Sequence, residues 1–119
     1  MKPFRQLKVW EKAHVLTLEI YKGTKSFPAD ERYGLTSQLR RASASIAANI
    51  AEGCGRNGDA ELARFIHIAI GSASETEYHL LLAKDLGYLT DADYARLNDL
   101  VCEVKRMLTA FVQTVRSSN

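Results

Sequence analysis

The stretch from Leu35 to Gly53 restricts the folds open to this chain more than any other. Leu35, Leu39, Ala42, Ile46, Asn49 and Gly53 recur at alternating spacings of four and three, with Ile50 beside them. A strict seven-residue repeat keeps one seam of a helix against a near-parallel neighbour. The block runs into Gly53-Cys54-Gly55-Arg56-Asn57-Gly58, where three glycines in six residues stop the helix and a left-handed cap is expected at Gly53 or Gly55. Its start is expected near Pro28. A proline there loses no hydrogen bond, and Asp30 and Glu31 follow at the positive end of the helix dipole.

Three further helices flank this one. Val9, Trp10, Ala13, Leu16, Ile20 and Tyr21 are spaced by threes and fours, which predicts a first helix from about Leu7 to Lys22. A third is expected from Asn57 or Gly58 to Leu86. Its seam is Leu62, Ile66, Ala69, Ala73, Thr76, Leu80 and Ala83, with a stop at Gly87-Tyr88. The fourth opens behind Thr90 as N-cap. It carries one apolar stripe through Leu97, Leu100, Val101, Val104, Leu108, Phe111, Val112 and Val115, and its end at Ser117-Ser118-Asn119 is expected to fray. No segment has the period-two pattern of a strand. Short connections between long helices make sequential neighbours antiparallel. The fold expected is therefore all-α, an antiparallel up-down-up-down four-helix bundle forming one domain over residues 1–119.

Charge is uneven along the chain. Residues 1–56 carry ten Lys and Arg against five acids, and residues 57–119 carry six against nine. A basic half of this kind suits an anionic partner, or an oppositely charged face of another subunit. No apolar run reaches the roughly 20 residues of a membrane span. The first residues lack the apolar centre of a signal peptide, so a cytoplasmic location is expected, with Cys54 and Cys102 as reduced thiols.

Catalytic patterns are lacking. There is no HExxH motif, the glycine-rich hexapeptide follows a helix and has no Lys-Ser/Thr pair, and His14, His67 and His79 read as ordinary polar histidines. The expectation is a protein that is not an enzyme and has no metal or cofactor. The polar stripe Gln38, Arg41, Ser45, Asn49 and Glu52 reads as structural. Asn49 lies on the seam, where it would fix register, and Arg41 and Glu52 are expected to pair with other helices or subunits. Ala44, Ala47, Ala48 and Ala51 project away from the Leu39/Ile46 seam. With Ile68 and Leu82 they form the expected subunit interface of a homo-oligomer, because a monomer would leave those faces wet. Lys8, Lys12, Arg40, Arg41 and Arg56 are the candidate contacts to nucleic acid. The partner expected is RNA or a ribonucleoprotein. The same features also fit a structural or protein-interaction scaffold with no nucleic-acid role.

Several blocks resemble the four-helix-bundle protein family encoded in intervening sequences of bacterial 23S ribosomal RNA genes. They are Phe4 with Leu7-Lys8-Val9-Trp10, Phe27-Pro28, Glu31 with Tyr33-Gly34-Leu35-Thr36-Ser37-Gln38, Leu39-Arg40-Arg41-Ala42, and Ser45-Ile46. They continue in Ala48-Asn49-Ile50-Ala51-Glu52-Gly53, Ala69 with Gly71-Ser72, Glu75, and Leu86-Gly87-Tyr88. Many relatives have proline where this chain has Ala47. The resemblance implies a four-helix bundle assembled as a homopentameric ring, with no established catalytic residues. A related branch, the accessory proteins of diversity-generating retroelements, is more basic, binds nucleic acid and works with a reverse transcriptase. This chain, at a net charge of +2, is too weakly basic for that role to be carried over.

Overall fold

A computed structural model describes residues 3–117. Four long helices, α1 (Lys8–Gly23), α2 (Leu35–Cys54), α3 (Asp59–Asp85) and α4 (Asp91–Ser117), follow a short 3-10 turn at Phe4–Gln6. No strand occurs among the described residues. Each helix packs against its two neighbours around a square, α1–α2–α3–α4–α1, and the diagonal pairs do not meet. The bundle measures 47 × 23 × 20 Å, in keeping with the roughly 40 Å length of its 27-residue helices. None of the helices described is long and apolar enough to cross a membrane.

The core sits where the apolar stripes converge. Leu16, Ile20, Ile46, Ile50, Ile66, Leu80, Val101 and Leu108 are sealed from solvent. At the α2–α3 contact, small residues bring the backbones close. A Cβ on Gly53 would lie 2.8 Å from the Phe65 Cβ, so only glycine fits at this approach. Ser45 and Ser72 hydroxyls meet across the same pair at 2.9 Å.

The helix ends follow local chemistry. Leu86 and Gly87 close α3 in a Schellman motif. Gly87 adopts φ 82°, the Tyr88 amide donates to the Ala83 carbonyl, and the Gly87 amide donates to Lys84. The Thr90 hydroxyl accepts the Asp93 amide at 3.1 Å and caps α4. Ser117 is the last residue of α4, and the fraying expected of Ser118 and Asn119 falls outside the described residues.

Several expectations need correction. The helix does not begin at Pro28. Residues Ala29–Glu31 make one 3-10 turn, and α2 starts only at Leu35 behind Gly34. Neither Gly53 nor Gly55 is left-handed: Gly53 is inside α2, and it is Gly58, preceding α3, that takes φ 90°. Asn49 lies off the seam. The core register passes through Ile46 and Ile50, while the Asn49 amide donates to the Ser45 carbonyl of its own helix at 2.8 Å. Ala47 does not face outward, because α2 buries a second row through Ser43, Ala47 and Cys54. The Thr17 hydroxyl of α1 reaches the Ser43 carbonyl on that side. Glu52 pairs with Arg56 one turn along, not with another helix.

Candidate functional site

The corner joining α1 to α2 is fixed by one carboxylate. Glu31 turns inward and accepts the Leu35 amide on Oε1 at 3.0 Å, which caps the start of α2. Its Oε2 accepts the Tyr88 phenol from the α3–α4 connection at 2.8 Å. Gly34 makes room for this carboxylate, since a Cβ there would lie 2.6 Å from Oε1. The Leu35 amide, with the Tyr88 hydroxyl second, holds Glu31 below its ordinary pKa. The same bond raises that of Tyr88. Phe27 is buried under this turn with its ring 5.4 Å from the Tyr88 ring. With Phe27 and Glu31 directed inward, Arg32 and Tyr33 remain outside, and Tyr33 is 89% exposed.

Against this corner lies an open cleft of about 620 Å³. Its charged lining is Lys25, Arg32, Arg40 and Arg41, its aromatic lining Tyr21, Phe27 and Tyr33, and no Asp or Glu contributes. Arg40 is immobilised. Its Nε donates to Thr24 Oγ1 at 2.8 Å, its Nη2 donates to the Tyr21 carbonyl at 3.2 Å, and its guanidinium lies 4.7 Å from the Tyr21 ring centroid. Among the described residues, Lys25, Arg32 and Arg41 have no carboxylate within ion-pair distance. Elsewhere among the described residues several cations do have one: Lys12 with Glu103, Arg64 with Glu61, Lys105 with Glu77, and Arg96 with Glu19. Such a cleft concentrates positive potential where an anion would replace the missing carboxylates.

Of the five basic residues singled out from sequence, only Arg40 and Arg41 meet in this cleft. Lys12 is engaged with Glu103 on α4. Arg56 pairs with Glu52 and lies over the Phe65 ring, past the end of α2, whose last residue is itself about 20 Å along the helix from Arg41. Lys8 is exposed at the far end of α1. The five therefore do not form one patch. Lys25, Arg32, Tyr21 and Tyr33 complete the cleft and were missed. Part of their signal was present in the α1–α2 connection, where Lys25, Arg32 and Tyr33 lie in a segment whose second half was expected to be the first turns of the second helix.

The 23S rRNA-intervening sequence protein family matches residues 5–110. The chain belongs to this family. A crystal structure of a protein of unknown function from the S23 ribosomal protein family of Bacteroides thetaiotaomicron superposes with a TM-score of 0.81. The two share 25% identity, over 88% of this chain and 95% of that one. No curated protein matches. The family match contains every residue of the cleft and of the Glu31–Tyr88 clamp.

In this family member part of the remaining polar stripe lines a smaller groove, of about 340 Å³, between α2 and α3. Gln38, Arg41, Ser45 and Glu75 face it, and Arg41 stands on the wall shared with the cationic cleft. Glu75 reaches His79 Nε2 at 3.3 Å. Of the small outward residues, Ala48 is exposed, Ala44 and Ala51 are half-buried, Ile68 is 41% exposed, and Leu82 is partly covered by the core. Further apolar surface lies on α1 at Val15 and Leu18, and on α3 at Tyr78 and Leu81.

Proposed function

We propose that this family member is a non-enzymatic, homo-oligomeric bundle of the cytoplasm that binds RNA or a ribonucleoprotein through the cleft between α1 and α2. The observation that carries this reading is the acid-free lining: four cations converge there and none has a carboxylate partner among the described residues. Phosphate contacts need no sequence motif, only cations held at a common surface. RNA binding measured across a salt series tests it. Affinity should fall steeply as salt rises, and the Arg32→Ala and Arg41→Ala variants should each bind more weakly.

A second reading is a scaffold that contacts only protein, and the exposed apolar residues favour it. Val15 and Leu18 on α1 and Ile68 and Leu81 on α3 lie on diagonal helices, so their outer faces point in opposite directions. A contact from one such face to the other on the next copy is head-to-tail, and closes into a ring if the rotation allows. The family resemblance supports five subunits. Light scattering on wild type and on Leu18→Glu, which places a charge on the exposed apolar face of α1, tests the assembly. The wild type should exceed the monomer mass and the variant should lose mass without losing helix.

A further inference from the structure

The cleft combines two kinds of surface that duplex recognition does not need together. One is the unpaired cations; the other is a pair of planar groups. Tyr33 is 89% exposed and makes no hydrogen bond or ring contact among the described residues. A tyrosine left this open in water, on a turn held rigidly from beneath by Glu31 and Phe27, keeps a large apolar face uncovered. The second planar group is the Arg40 guanidinium. Its bonds to Thr24 and the Tyr21 carbonyl hold it in place, with Cζ 4.7 Å from the Tyr21 ring centroid. Unpaired bases stack on aromatic rings and on guanidinium planes, whereas in a duplex those faces are already covered by neighbouring bases.

We infer that the cleft is a site for single-stranded RNA, in which Tyr33 and the Arg40 guanidinium stack bases while Lys25, Arg32 and Arg41 contact the phosphates between them. The inference rests on the RNA reading above and specifies the form of RNA. The size agrees, since about 620 Å³ falls within the range of sites that enclose small ligands and accommodates a short stretch of splayed nucleotides. The division of labour follows from the lining. Stacking on Tyr33 is insensitive to salt and to base identity, and the three free cations supply the salt-dependent share.

The experiment is fluorescence anisotropy of the full chain with a labelled 12-nucleotide single-stranded RNA and with a blunt RNA duplex of the same length. The proteins are wild type, Tyr33→Ala, Tyr33→Phe and Arg41→Ala. Expected are binding to the single strand at least about tenfold tighter than to the duplex, and a loss of about tenfold for Tyr33→Ala with the salt slope unchanged. Tyr33→Phe should bind as wild type, and Arg41→Ala should lower the salt slope by about one contact. Equal or tighter duplex binding, or full affinity in Tyr33→Ala, overturns the single-strand assignment while leaving salt-sensitive RNA binding intact. Wild type binding neither form at low salt overturns both that assignment and the reading beneath it. Because Tyr33 is almost wholly exposed, the variants should fold, and circular dichroism checks that they do.

Discussion

The Tyr88 phenol donates a 2.8 Å hydrogen bond to Glu31 Oε2, joining the α3–α4 connection to the start of α2 across 57 residues of sequence. The other carboxylate oxygen caps Leu35. One side chain thus ends a turn, starts a helix and ties two loops at the same end of the bundle. By holding the turn inward it sets Arg32 and Tyr33 outward beside the cleft.

That arrangement makes the three residues interdependent. Glu31→Gln, Tyr88→Phe and Gly34→Ala should each lower the denaturation midpoint. In Gly34→Ala the new Cβ displaces the carboxylate from 2.6 Å away. The combined Glu31→Gln/Gly34→Ala variant should lose clearly less than the sum of its parts, because both changes act on the same cap, one by removing its charge and the other by displacing it. Urea denaturation of the wild type and the four variants checks this.

The clamp also sets a pH dependence. Glu31 has its folded pKa lowered from 4.5, chiefly by the Leu35 amide and then by Tyr88. The unfolded chain therefore binds this proton more readily, and the stabilisation is complete above about pH 4.5 and lost as pH falls through the lower folded value. Tyr88 is shifted upward from 10.0 by its bond to Glu31, so its share is complete below about pH 10 and lost as pH rises beyond that. Denaturation midpoints across pH should show the acid loss in wild type and a shallower one in Glu31→Gln.

Two glycines of the α2–α3 pair should respond oppositely to alanine. At Gly53 the added Cβ meets Phe65 Cβ at 2.8 Å and Leu62 Cδ1 at 3.1 Å, and overpacking of this kind destabilises by about 1–3 kcal/mol. At Gly71, within α3, nothing lies within 4 Å of the new Cβ. Alanine there should stabilise by roughly 0.5–1 kcal/mol through helix propensity. Urea denaturation of the two variants checks both signs.

Replacing Lys25, Arg32 or Arg41 by Ala should leave stability unchanged or raise it slightly. Each stands among like charges with no carboxylate partner among the described residues, so nothing stabilising is removed. Thermal melts at low salt are the check, where such repulsion is least screened.

The bundle was legible because heptads and stop signals agree. The seam Leu62–Ala83, the cap at Thr90 and the Schellman stop at Gly87 all lie where their residues place them. The start of α2 was not legible. Pro28, Asp30 and Glu31 satisfy helix-start rules by type, yet Glu31 caps from outside the helix, and its partner Tyr88 is remote in sequence. The second buried row of α2 was hidden for a similar reason. Ser43 and Ala47 are too small and too polar on average to announce burial, and only the close approach of α1 buries them. The cleft was half legible. Arg40 and Arg41 stood out as a pair, but Lys25, Arg32 and Tyr33 come from a connection that only folding brings beside them.

The central claim is that RNA is held by the cations of this one cleft. It is tested most directly by measuring single-stranded RNA affinity against salt concentration for wild type and for the Lys25→Ala/Arg32→Ala/Arg41→Ala variant. At about 0.7 in slope per phosphate contact, the variant should show a log–log slope shallower by about two and bind much more weakly at low salt. Identical slopes and affinities for the two proteins, or wild-type binding indifferent to salt, would contradict it.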